Sequence, residues 1–282
     1  MIKTFSIGAI LLAIAAPSFA EPCPDVRGAS DRHAAALLLV KCLGDPDPKV
    51  RDALAFEGLS RVMRSGALEQ RTLSELRAAL LEQLRRPGSS AMLRSFSALT
   101  LSEIARTDRL QAWMSEAERQ ELIDAAAGFL TAISDYRAFS NQEGFVHAVA
   151  HGADFALQLA LNPGVEKPQL DQLLTAISSQ IAPGDPSVAY WAGEPDRLAR
   201  AVLFIAQRKL HSDGEWAAWF RTVMNPKPLP SWDVAFTSEI GIRKHHNVRA
   251  FLLSLFASAT TTEAPGIKQL LEPVRNSLKL VP

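Results

Sequence analysis

Apolar residues recur along this chain at intervals of three and four, and no stretch alternates convincingly between apolar and polar. That spacing lays one apolar stripe along an α-helix. Turn residues cut the pattern into segments. A first helix is predicted over 31–43. Five helix pairs follow: 48–64 with 73–86, 91–107 with 116–134, 144–161 with 169–181, 195–210 with 215–224, and 246–259 with 266–280. The first pair opens on Asp45-Pro46-Asp47-Pro48, where an aspartate can cap and a proline suits the first turn. It closes at Pro87-Gly88. Between the fourth and fifth pairs lies 225–242, with Pro226, Pro228, Pro230, Trp232 and Phe236. It reads as an ordered loop packed back on the helices.

The first helices of successive pairs recur about every 45–50 residues, near the period of HEAT-type repeats. The opening D-P-x-V-R is also similar to that of a HEAT unit. Such a pair cannot bury its apolar face alone, so pairs stack. The predicted fold is all-α, a HEAT-like solenoid of about five antiparallel helix pairs. It forms one domain over 21–282.

Residues 1–20 alter the picture of where the chain works. Lys3, the apolar run from Phe5 to Ala16, and Ser18-Phe19-Ala20 have the layout of a signal peptide. The run is too short to span a bilayer, and no later one is longer and apolar enough. The chain is therefore expected to be bacterial, periplasmic or secreted, with cleavage near Ala20 and no membrane span. Its two cysteines, Cys23 and Cys42, are expected to pair in such a compartment. That bridge would contribute on the order of 3 kcal/mol. Formal net charge is zero, so there is no basic excess for nucleic acid.

The candidate chemistry centres on the third pair, in Gly144-Phe145-Val146-His147-Ala148-Val149-Ala150-His151-Gly152-Ala153-Asp154. On a helix, His147, His151 and Asp154 share one face, and Gln158 continues it. The other faces are apolar, so this stripe faces a groove or a buried network. Ala148, Ala150 and Gly152 are small enough for another element to approach closely. Two histidines and a carboxylate suit a buried network, a ligand contact, or a metal. A structural zinc is not expected, because only one carboxylate stands at chelating spacing and arginines would lie nearby. No cofactor motif is found. The repeat register adds Arg94, Glu194 and Arg197, and the loop before the stripe adds Asp135 and Arg137. The candidate groove is thus Arg94, Asp135, Arg137, His147, His151, Asp154, Glu194 and Arg197. Arg94 or Arg197 is expected to partner Asp154.

Three segments carry a resemblance: Arg94-Ser95-Phe96-Ser97-Ala98-Leu99, Asp135-x-Arg137 leading to His147–Asp154, and Glu194-x-Asp196-Arg197-Leu198-Ala199. Together they resemble a bacterial family known as domain of unknown function 2785. The resemblance implies an all-helical, HEAT-like fold and no particular activity. The chain departs from the family loop at Ala138, in place of a glycine, and at Phe145, in place of a tryptophan.

The function expected from these residues is binding or scaffolding, with a protein or a small polar ligand as partner. The alternative is an enzyme using the His147/His151/Asp154 stripe, as a metal-dependent hydrolase or a polysaccharide-lyase-like protein. Neither a nucleophile elbow nor a phosphate loop supports that alternative.

Overall fold

The computed structural model describes Cys23, Asp25 and residues 28–281. The leader predicted at 1–20 lies outside the described residues. Along the described chain run α1 (Arg32–Cys42), a π-helical stretch (Lys49–Phe56) continuing into α2 (Glu57–Arg64), α3 (Gln70–Arg85), α4 (Ala91–Leu110) and α5 (Glu116–Thr131). A two-stranded hairpin follows, β1 (Phe139–Ser140) with β2 (Gly144–Phe145). Then come α6 (Ala148–Ala160), α7 (Lys167–Ile181), α8 (Glu194–Gln207) and α9 (Asp213–Val223). A 3-10 turn (Trp232–Thr237) leads to α10 (Glu239–Thr261), α11 (Pro265–Lys268) and α12 (Leu271–Leu280). The fold is all-α.

Local chemistry sets most of the helix starts. The Asp31 carboxylate accepts from the Ala34 amide at 3.0 Å, and Ser90 Oγ from that of Leu93 at 3.1 Å. Ser115 and Ser212 form capping boxes with Glu118 and Glu215. Each occupies amides that the first helical turn leaves without partners.

The helices pack in two layers. α2, α4, α6, α8 and α10 touch in that order, and α3, α5, α7, α9 and α12 do the same behind them. One cluster of buried apolar side chains runs from Ala35 to Val281. α6 is its centre, flanked by α4 and α8 and backed by α5. Phe155, Ala153 and Ala156 on α6 have no exposed surface. Gly152 is where α5 comes closest: a Cβ there would stand 2.7 Å from Leu130 Cδ2. The expected Cys23–Cys42 disulfide is present and ties the leading segment to α1. No helix among the described residues is long and apolar enough to cross a membrane.

Three sequence expectations need correction. The helix predicted over 144–161 starts only at Ala148, because Gly144 and His147 both have positive φ, 71° and 53°. The residues before α6 instead pair as the hairpin, extended by Val146 N–H to Ala138 O (2.9 Å) and His147 N–H to Arg137 O (3.2 Å). The fully buried Arg51 holds that hairpin, donating from Nη2 to Glu143 O at 2.6 Å while its guanidinium lies over the Phe96 ring. The last pair also differs. α10 starts at Glu239, inside the predicted loop, because Ser238 caps it. Its partner is split into α11 and α12.

Candidate functional site

A cavity of about 340 Å3 opens between α2, α4, α6 and α8. Its wall includes His147, His151, Asp154 and Gln158 from the central stripe, with Arg197 and Arg200 from α8. That volume falls within the range of small-ligand pockets.

His151 is buried, and its ring packs edge-on against Phe96, with centroids 4.9 Å apart. Its Nδ1 lies 2.8 Å from Ser95 Oγ, which is also 2.5 Å from the Val146 carbonyl. A carbonyl only accepts, so the Ser95 hydroxyl proton goes to Val146. Ser95 then accepts from His151 Nδ1–H. The neutral ring keeps a lone pair on Nε2, which has no hydrogen-bond partner among the described residues. Burial pushes His151 down to about 3, and the fields of His147 and Arg197 act in the same direction. The Ser95–His151 contact has the residue types of a nucleophile pair but not its chemistry. Ser95 is fully buried with its proton committed.

His147 sits outside the helix in the left-handed region, a conformation that costs a non-glycine residue about 1–2 kcal/mol. It is held from three directions. Its backbone joins the hairpin, its ring stacks on Phe145 at 5.1 Å, and Nε2 donates to Ala192 O at 3.1 Å. Glu194, buried at the start of α8, accepts from the Ala192 amide and lies 3.6 Å from His147 Nε2. Burial lowers the His147 pKa, against the opposing pull of Glu194. The two histidine rings are 6.0 Å apart although only one of them is helical.

Asp154 accepts from Arg197 Nη1 at 2.6 Å, so Arg197, not Arg94, is its partner. Burial nonetheless raises the Asp154 pKa, with Arg197 pulling the other way. Opposite, Arg64 of α2 forks onto the buried Glu103 of α4. Spacing within the central stripe gave no sign of that pair. The available signal was a lone charge in the otherwise uncharged run Ala98-Leu99-Thr100-Leu101-Ser102-Glu103-Ile104. Arg200 lines the same wall and adds to the field at Asp154. It forms no ion pair or hydrogen bond among the described residues.

Arg94, Asp135 and Arg137 stand apart from this cavity. Ser95 points at His151, and its neighbour Arg94 is turned about 100° away. Arg94 donates to Leu84 O at 3.2 Å and, with Asp135, lines a separate cleft of about 30 Å3. Arg137 grips Asp135 and Glu143 at the exposed hairpin. The structure thus brings together His147, His151, Asp154, Glu194 and Arg197, and leaves the other three elsewhere. Among the described residues, no group of three or more His, Cys, Asp or Glu is placed to hold a metal ion.

An all-α, two-layered fold with a polar cavity against its central helix is the class this chain defines. The chain belongs to the family described as protein of unknown function (DUF2785), whose model matches residues 80–257. The match takes in all of α4, α6 and α8, and so most of the cavity wall; Phe56 and Arg64 lie outside it. No curated protein and no solved structure matches the chain.

Proposed function

We propose that residues 21–282 form one exported, HEAT-like solenoid, working in the bacterial periplasm or outside the cell. Its central cavity binds a small polar ligand carrying an anionic group. The order in which the two layers touch follows the sequence repeat and supports the solenoid reading. The Cys23–Cys42 bridge suits an oxidising compartment.

One observation carries the binding reading. The cavity wall pairs Arg64 with Glu103 and Arg197 with Asp154, but leaves Arg200 without an ion pair and His151 Nε2 without a hydrogen bond. A ligand with one anionic group and one hydroxyl or amide donor would meet both needs. The enzyme alternative draws less support. A general base works best with a pKa near the operating pH, and His151 sits near 3.

Native mass spectrometry of untagged protein from periplasmic extract tests the proposal. Wild type is expected to retain a small anion that Arg200→Gln loses at an unchanged melting temperature. Arg200 is exposed, so its replacement leaves the core intact. His151→Ala is the poorer probe, since it also removes a buried ring from Phe96. Wild type retaining nothing, or both proteins retaining the same species, would overturn the reading.

A further inference from the structure

The cavity does not end at Arg64. The same side chain lines a second cavity of about 290 Å3, bounded by Leu68, Arg106, Leu110 and Trp113 among others. The two chambers therefore adjoin. On α4, Leu99, Ser102 and Glu103 face the first chamber, and Arg106, Thr107 and Leu110 face the second. At 1.5 Å per residue, Leu99 to Leu110 is a groove of about 17 Å along one helix. That is long for a single small molecule and suits a short chain.

The charges repeat along this groove. Arg106, like Arg200, forms no ion pair or hydrogen bond among the described residues. Arg109, one turn further along α4 and outside both cavity walls, has a buried Nε with no partner. Its pKa is lowered by burial first and then by the charge of Arg106, against the opposing pull of Glu103. The groove thus holds paired charges in its middle, Arg64–Glu103 and Arg197–Asp154, and an unpaired guanidinium in each chamber.

The polar atoms ask for hydroxyl groups. His151 Nε2 is a bare acceptor, and Gln158 Oε1 is a buried one with no partner. Asp154 and Glu103 carry further acceptor lone pairs. A peptide offers one amide donor per residue, whereas a sugar ring offers several hydroxyl donors in the same space. Leu110, exposed, and Trp113, half-buried, give the second chamber an apolar wall against which a ring face can pack.

Resting on the binding reading above, we infer that the ligand is an acidic oligosaccharide of uronic-acid type, laid along α4 with one carboxylate at Arg200 and another at Arg106. The second chamber is then an extension subsite that a monosaccharide bound at Arg200 does not reach.

Isothermal titration of the full mature protein with galacturonic acid, tri-galacturonate and tri-glutamate tests this. Tri-galacturonate is expected to bind at least about tenfold tighter than the monomer, from engaging two sites at once. Arg106→Gln should abolish most of that gain, whereas Arg200→Gln should weaken monomer and trimer alike. Equal affinity for monomer and trimer, or a trimer affinity indifferent to Arg106→Gln, would sink the extension subsite. Tighter binding of tri-glutamate would overturn the sugar assignment. Failure of both sugars to bind, while wild type still retains a small anion from extract, would refute this inference alone and leave the binding reading standing.

Discussion

Lys167 on α7 reaches Asp171 on its own helix and Glu215 on α9, and Asp171 also takes His211. On α3, Arg77 bridges to both Glu118 and Glu121 of α5, and Arg85 joins the same Glu121. Gln120 and Gln172 extend the lattice through Asp124. In the layer of α3, α5, α7 and α9, charges thus lock successive helices to one another. The layer of α4, α6 and α8 uses the same residue types to another end. There Arg64 and Arg197 are paired, but Arg200, Arg106 and one face of His151 are left open. The cations that hold the back layer together each meet a carboxylate, even where single atoms such as Arg77 Nε and His211 Nδ1 stay unpartnered. Those turned toward a groove without one are the better pointers to a ligand.

Two carboxylates, one buried and one half-buried, make the contrast measurable. Asp108, fully buried, accepts from the amides of Trp113 and Met114 and from Asn162 Nδ2, and stands 3.4 Å from Arg119. Replacing it with alanine strands all of these donors. Asp108→Ala is expected to cost about 3–5 kcal/mol, the range for breaking a buried charged network. Asp154 faces the cavity, and its one partner Arg197 is 41% exposed. Asp154→Asn is expected to cost only about 1 kcal/mol, as for a pair open to solvent. Urea unfolding of both variants decides the matter. Equal losses would erase the distinction between a carboxylate complemented within the chain and one that faces the cavity.

Much of the fold could be read from local signals, since caps and apolar periods act over a few residues. Gly152 does what its size suggested and lets α5 approach closely. The hairpin was not legible, because what holds it is Arg51, 92 residues away from Glu143. A left-handed histidine gives no sign in a pattern that continues the helical period through it. Within the site, the stripe His147, His151 and Asp154 survived the correction of the helix start, since their rings and carboxylate still share a cavity wall. Arg94 failed for a different reason. Repeat register fixes which turn of a helix a residue occupies, but a single residue's shift rotates its side chain into another layer. The Arg64–Glu103 pair joins α2 to α4 over 39 residues, beyond the reach of a spacing argument within one helix.

The next effect is smaller and belongs to His151. Its folded pKa, about 3, is below its ordinary 6.5, so between those values the unfolded chain binds more protons. Stability contributed by the neutral ring is present above about 6.5 and is lost as pH falls toward 3. Asp154 has the opposite sign, since its raised pKa favours the folded state as pH falls. The two are separated by substitution. His151→Asn is expected to flatten the decline in stability between pH 7 and 4 by up to about 1.4 kcal/mol per pH unit. Urea midpoints across that range give the slope. Parallel curves for wild type and variant would mean that the ring is protonated without cost, and that it stands in water rather than in a cavity wall.

The smallest effect lies on the α7–α9 side, where the pairs are exposed. Glu215 is held down to about 2, first by its hydrogen bond from Lys167 and then by the Ser212 amide and hydroxyl. Removing Lys167 takes away the first of these and leaves the capping box in place. Lys167→Ala should therefore move Glu215 part of the way toward 4.5, its ordinary value, without restoring it fully. The shift should shrink in wild type as salt is added, because exposed charges are screened over about 10 Å at 0.1 M ionic strength. Side-chain carboxyl NMR reads both effects directly, and the melting temperature should barely move. A Glu215 that titrates identically with and without Lys167 would mean that the capping box alone sets it. The Lys167–Glu215 contact would then be no rung between α7 and α9, and the lattice on this face would reduce to its buried members.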